Sequence, residues 1–455
     1  METGQRDVDV SSLPASNPIG CKPSARSPTS SLLGPSARAK TVKSFIVMKV
    51  LCRALELEAQ GRKIVHLEVG QPKTGAPSKV IEASRSFLDS HVLGYTNGAG
   101  ILNLRQRICQ HYKEKYGVEV PVHRVVVTTG SSGAFPLIFL SAFDVGDKVA
   151  VASSSYPCYR NILDALGCDV VTIPVDSQFK VTAKAVARFI DSLPQEDGVE
   201  TAAKGVTAGG SGTAAEGGGT RRRCPLKGII LSSPSNPTGA MLSAEEIREI
   251  AELCNQRGII FISDEIYHGI SYGKKCQTAL AYSDQCFVIN SFSKYYSMTG
   301  WRLGWMVVPE HMVEVVGDLS MNFFISAPTL SQLAAAAAAF DCDDELGKHV
   351  ETYCRNRSIL LKGLSEMGFT NVSPSDGAFY VYADVSDVVE DSSVMAHDLL
   401  EDAGVAITPG IDFEDPASDE RFHRVRFSYC GATEQIEEGM ARMKQWWAGY
   451  GKKKK

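Results

Sequence analysis

The segment Ser291-Phe292-Ser293-Lys294 closes an apolar run, and eight residues later Arg302 stands between Gly300 and Gly304. A lysine at the end of a buried strand, partly desolvated in a cleft, has a lowered pKa and serves as an imine-forming nucleophile. An arginine flanked by glycines, with serines nearby, suits a phosphate dianion. Taken alone, either signal is weak, because most lysines and arginines are solvated surface charges. Asp264 ends a second run, Ile259–Ser263, and Tyr267 follows three residues on. Such an aspartate can hold a proton on a ring nitrogen and such a tyrosine can bond an adjacent phenolate oxygen, although a helix N-cap is the commoner use of an Asp there. Asn236 lies in Ser233-Pro234-Ser235-Asn236-Pro237-Thr238-Gly239, which by itself is an ordinary Asn-Pro turn. Gly130-Ser131-Ser132-Gly133 follows a further run and opens a helix, whose first N–H groups and hydroxyls cradle phosphate. Tyr156 in Ser155-Tyr156-Pro157 presents an aromatic face to a planar ring, where core packing is the commoner role.

These turns need a scaffold that brings them to one place. The apolar runs are Val125–Thr128, Val149–Ala152, Val170–Ile173, Gly228–Leu231, Ile259–Ile262, Phe287–Ile289 and Trp305–Val308. They are rich in β-branched residues, apolar on both faces and separated by helical stretches. That pattern predicts an α/β fold with a mainly parallel seven-stranded sheet buried on two sides. Ligands of such sheets collect beyond the carboxyl ends of the strands, where the residues above stand. This large domain is expected over 66–325. After about residue 326 long helices (328–340, 346–367) and the strands Ala378–Ala383 and Val425–Phe427 predict a smaller α+β domain over 326–449, joined by a helix within 39–65. Residues 1–38 are Ser/Pro/Ala-rich and read as a disordered extension; 195–225 is a Gly/Ala/Thr-rich flexible insertion ending near Arg221–Arg223; 450–455 is a basic tail.

Taken together, the SNPTG, SDEIY and SxSK…GWRLGW segments resemble those of the class I and II aminotransferases, the fold-type I pyridoxal-phosphate enzymes, and the similarity runs from about residue 40 to 446. The resemblance implies that Lys294 carries pyridoxal 5′-phosphate, Asp264 pairs with its ring nitrogen, and Asn236 and Tyr267 bond its 3′-oxygen. It implies that Ser131, Ser132, Ser291, Ser293 and Arg302 bind the phosphate and that Tyr156 stacks on the ring. Tyr95, in Gly94-Tyr95-Thr96-Asn97, matches a tyrosine that reaches the neighbouring subunit's phosphate, which implies a homodimer with shared sites. Arg426 matches the arginine that grips the substrate α-carboxylate, and Gly70 a glycine that approaches the same group. The implied activity moves the amino group of an L-amino acid to a 2-oxo acid, 2-oxoglutarate being the expected acceptor, by a ping-pong mechanism. A lyase of the same fold is the alternative. Some aspartate-specific relatives place a lysine where Ser132 stands, which counts against strict aspartate use, although an arginine from the partner subunit could take that place; a neutral donor, such as alanine or a larger aliphatic or aromatic amino acid, is open.

The bulk composition agrees with a soluble enzyme. The 455 residues are 44% hydrophobic and carry a formal charge of −5, without the basic excess of a nucleic-acid binder. No stretch approaches the roughly 20 apolar residues of a membrane span. The 12 cysteines include no CxxC pair, so no metal site is indicated and reduced thiols are expected. A cytoplasmic location follows, with organellar import through the N-terminal extension as an option that Glu2, Asp7 and Asp9 weaken.

Overall fold

A computed structural model describes residues 34–194 and 225–453. Nearly all of the insertion read at 195–225 and of the 1–38 extension lies outside the described residues. Among the described residues there are twelve strands: β1 (Val65–His66), β2 (Val125–Thr128), β3 (Lys148–Ala152), β4 (Asp169–Ile173), β5 (Leu226–Ser232), β6 (Ile260–Asp264), β7 (Phe287–Ser291), β8 (Gly304–Val307), β9 (Tyr380–Asp384), β10 (Val405–Ala406), β11 (Thr408–Pro409) and β12 (Arg424–Ser428). Seven of them form one sheet in the order β2-β8-β7-β6-β5-β3-β4. Each of the seven apolar runs is therefore a strand of this sheet, and the α/β fold is as expected.

The sheet is buried on both faces because its strands alternate apolar residues between two clusters. Val125, Val127, Ile229, Phe261, Val288 and Trp305 belong to one. Val126, Ile230, Ile262, Phe287, Ile289 and Met306 belong to the other. Helices on both sides close these layers, as a parallel sheet requires.

One strand departs from the parallel pattern: β8 runs antiparallel to both β2 and β7. Its amino end therefore lies beside the carboxyl ends of its neighbours, with Gly304 paired to Thr128 and to Ser291. An antiparallel strand is what brings Arg302, two residues before Gly304, to the same edge as Lys294.

A second sheet, β11-β12-β9, is antiparallel and sits in its own apolar cluster with Leu360, Leu364, Phe379 and Met440. The short pair β1–β10 is parallel and ties the N-terminal part of the chain to this region. The helix expected from Ala39 onward is two helices, Ala37–Thr41 and Ile46–Ala59, broken at Val42–Phe45. Its start at Ala37 overlaps the end of the extension read as disordered. The last helix runs Thr433–Lys453, so the tail read from 450 begins inside it. Among the described residues Cys109, Cys158, Cys168, Cys276, Cys286, Cys342, Cys354 and Cys430 are free thiols, whereas Cys52 is disulfide-bonded, against the expectation of reduced thiols throughout. Among the described residues no helix is long and apolar enough to cross a membrane.

Candidate active site

A cleft opens beyond the carboxyl ends of the large sheet. Its lining brings together Gly70, Ser131, Ser132, Tyr156, Asn236, Asp264, Tyr267, Ser293, Lys294, Arg302 and Arg426. The structure thus gathers in one cavity residues drawn from most of the length of the chain.

The floor follows from the strand ends. Lys294 stands just after β7, open to the cavity yet packed round by protein, and its Nζ donates to the Gly70 carbonyl at 2.7 Å. Burial, helped by the Arg426 and Arg302 charges, lowers its pKa to about 8, against smaller raising effects from Cys430 and Asp264. Asp264 ends β6 and is only 3% exposed. One carboxylate oxygen accepts the Tyr159 hydroxyl and the other the Ile266 N–H at 3.1 Å. Burial outweighs these bonds and the Lys294 charge, raising Asp264 to about 6.

Beside them the Ser131–Ala142 helix begins directly after Gly130, whose φ of 69° is left-handed. A side chain at Gly130 would place its Cβ 2.6 Å from Arg302 Nη2, so glycine is required for the guanidinium to reach the helix start. Arg302 itself has φ 51° and donates from Nη1 to the Thr299 carbonyl at 3.0 Å. The start of that helix, the Ser131, Ser132 and Ser293 side chains and Arg302 thus line one part of the cavity, an arrangement with donors suited to a dianion. Ser291 is not part of it. Fully buried at the end of β7, its hydroxyl bonds Ser293 Oγ and the Leu303 carbonyl, so it supports the corner from behind. Tyr95 also lies outside this cavity and is 82% exposed.

The opposite wall comes from the small sheet. Arg426, on β12, is stacked between the rings of Tyr380 and Phe413 at 4.5 and 4.6 Å. Its Nη1 donates to Asn236 Oδ1 at 2.9 Å and its Nη2 to the Glu68 carbonyl at 2.5 Å. The buried Nε has no partner among the described residues. Gly70 is obligatory here too, because a Cβ would meet the Tyr380 hydroxyl at 1.7 Å. Tyr380 and Tyr267 share a hydroxyl contact of 2.9 Å.

Several lining residues had not been singled out from the sequence: Val47, Met48, Phe135, Tyr159, Ile266 and Tyr380. Tyr159 had a readable signal, since it follows Tyr156 by three residues on the helix that Pro157 opens and so faces the same way. Tyr380 had one as well, as an aromatic in a strand that alternates. Val47 and Met48 had none beyond belonging to an amphipathic helix.

The pattern of the family described as "Aminotransferase class I and II" matches residues 62–443. The chain is 43% identical to the valine–pyruvate aminotransferase of Mycobacterium tuberculosis over 410 residues, covering 89% of this chain and 96% of that one. A solved aminotransferase structure from the same organism superposes with a TM-score of 0.81 at 41% identity, over 92% of this chain and all of that one. The aspartate aminotransferase of Thermus thermophilus, solved with maleate, gives 0.79 at 27% identity over 91% of this chain and 100% of its own. With a family match over most of its length and a cleft assembled at the strand ends, the chain belongs to the class I and II aminotransferases and is a transaminase.

Proposed function

We propose that this chain binds pyridoxal 5′-phosphate in the cleft and transfers the amino group of a neutral L-amino acid to a 2-oxo acid by a ping-pong mechanism. The observation that carries the reading is Lys294, a lysine brought to about pKa 8 at the floor of a cleft whose other ionisable groups stand in complementary places. The fit of the residues to the cofactor is specific. The corner where a Gly130 Cβ would strike Arg302 suits the phosphate, and the buried Asp264 suits a protonated ring nitrogen.

When bound, the cofactor supplies an electron-withdrawing ring and the carbonyl carbon that exchanges the amino group. The chain's residues do the rest. Lys294 would hold the cofactor covalently, and its amine, part neutral near pH 8, would take the proton from the donor's Cα and return it. Asp264 would keep the ring nitrogen protonated, in a setting where such a pair counts for far more than in water. Asn236 and Tyr267 would bond the ring oxygen; Ser131, Ser132, Ser293 and Arg302 would hold the phosphate, with Ser291 bracing Ser293; Tyr156 would cover the ring face. Arg426 would grip the α-carboxylate in its fork, next to Gly70.

Among the described residues the cleft's only basic groups are Lys294, Arg302 and Arg426, all assigned above, while Val47, Met48, Val69 and Ile266 are apolar. Among these described residues a donor's side-chain carboxylate would find no further counter-charge, which supports a neutral aliphatic donor. The relative from M. tuberculosis is named for valine and pyruvate, so pyruvate joins 2-oxoglutarate as an acceptor to test. No observation favours the lyase alternative.

We further propose a homodimer. Val92 (97% exposed), Tyr95, Phe323 (56%) and Ile325 (51%) are exposed, and Thr329 donates to the Gly94 carbonyl at 2.6 Å, which ties their two segments together. Covering these exposed residues would let Tyr95 reach the partner's phosphate. The same proposal divides the chain into a large domain, 66–325, and a small one, 39–65 with 326–449. Support comes from Ala54, Leu57 and Ile64 packing with Leu400 and Ala406.

Lys294→Ala tests the central assignment. The variant should lose the visible, borohydride-reducible chromophore and all transamination while keeping its fold by circular dichroism. A lysine-linked chromophore persisting in it would overturn the role. Amino acids supplied with pyruvate or 2-oxoglutarate should yield the new amino acid, and ammonia release instead would support the lyase.

A further inference from the structure

The Ile46–Ala59 helix starts at the mouth of the cleft, and its own N-cap, Phe45, offers no side-chain bond to the first turn. The free N–H groups of a helix start need acceptors, and a carboxylate is the strongest one available. Here it comes from the far end of the chain. Asp412 accepts the Ile46 N–H on Oδ1 at 3.0 Å and the Val47 N–H on Oδ2 at 3.1 Å, across 366 and 365 residues of sequence. Asp412 is 9% exposed and directly precedes Phe413, one of the two rings that sandwich Arg426.

The turn held in this way carries the apolar side of the cleft. Val47 and Met48 line the cavity that Arg426 and Lys294 also line. Phe45, just before them, stacks on Tyr156 at 6.1 Å with the rings 9° apart. Asp412 is thus tied on one side to the wall that grips the α-carboxylate and on the other to the residues that face the donor's side chain. Burial raises its proton affinity, the two N–H groups oppose that rise, and the Arg426 charge opposes it further.

We propose that Asp412 is a positioning residue for donor choice: by clamping the first turn of the Ile46–Ala59 helix, it sets Val47 and Met48 as the surface against which a branched aliphatic side chain packs. The proposal rests on the neutral-donor reading above. Alanine, whose methyl group is too short to use that surface fully, depends on the clamp much less than valine.

The test follows the half-reaction of the cofactor-loaded protein with alanine and with valine, as loss of the visible band. For Asp412→Ala, the valine concentration giving half the limiting rate should rise about tenfold, equivalent to about 1.4 kcal/mol, with the limiting rate nearly unchanged. For alanine it should shift less than about threefold, on the same scale. Asp412→Asn, which keeps one acceptor oxygen without the charge, should recover part of the valine affinity. Amide hydrogen exchange at Ile46 and Val47 should quicken in Asp412→Ala, a readout independent of turnover. Val47→Ala should show the same valine-selective loss with the clamp intact, which keeps the idea testable should Asp412→Ala fold poorly. Equal losses for alanine and valine in these variants, or unchanged exchange at Ile46 and Val47, would overturn the proposal alone. A wild-type protein that consumes aspartate and neither neutral donor would overturn the neutral-donor reading and the proposal with it.

Discussion

In the proposed function the floor of the cleft and its opposite wall would each hold an oxyanion, and they are built for it by different routes. On the floor, Arg302 is one donor among several: a helix start, serine hydroxyls and a glycine that makes room all share the load. On the wall, Arg426 is 4% exposed, flanked by two aromatic rings and fixed by Asn236 and a backbone carbonyl. Distributed dipoles come with the fold and tolerate the loss of one member. A single desolvated charge does not, because nothing nearby replaces it.

That contrast ranks three substitutions. The largest effect is expected on the wall. Arg426→Lys keeps the charge but loses the planar fork and the stacking, and kcat/KM should fall by about 10²–10³-fold, as for truncating one partner of a buried charged pair. The visible band should remain, since the floor is untouched; a band lost together with activity would show that wall and floor are not separable. Gly130→Ala comes next. The left-handed φ and the approach to Arg302 make it strained, on the order of 1–3 kcal/mol, so pyridoxal phosphate should bind roughly 10–100-fold more weakly by titration of the cofactor-free protein. Unaltered binding would mean that the corner does not hold the phosphate.

The smallest effect lies beneath the floor. Glu265, next to Asp264, faces away from the cleft, accepts the Ala279 N–H at 2.9 Å, and is raised by burial to about 8. Its folded pKa is above its unfolded one, so the folded chain keeps a proton that the unfolded chain has lost. The associated stability is full below about pH 4.3, the unfolded value, and is lost as pH rises through about 8. In the cofactor-free protein, Glu265→Gln should therefore flatten the fall in Tm between about pH 5 and 8, on the order of a few degrees. Parallel profiles for the two proteins would contradict this assignment.

The same division runs through what could be read without coordinates. The floor was legible because a doubly buried sheet writes its strands as uninterrupted apolar runs, and chemistry sits in the turns that follow them. The direction of β8 was not legible, since a strand buried on both faces looks alike in either sense. Ser291 was placed on the phosphate by family resemblance, and its hydroxyl bonds Ser293 Oγ and the Leu303 carbonyl. The wall was legible chiefly through family resemblance, which identified Arg426 but not the rings beside it. Tyr159 and Asp264 meet across 105 residues, and Asp412 meets Ile46 across 366. Local patterning carries no trace of such pairings, because each partner satisfies its own segment's rules regardless of the other.

The bond from Arg426 to the Glu68 carbonyl spans 358 residues. It gives the order of synthesis a chemical meaning. A nascent chain that has emerged through β8 already possesses every residue of the floor, yet it has neither the guanidinium proposed to grip a substrate nor the aspartate that caps the helix at the cleft's mouth. On the proposed role of Arg426, the capacity to engage an amino acid arrives with the last strand, so a prematurely terminated product would be left without a grip on its substrate.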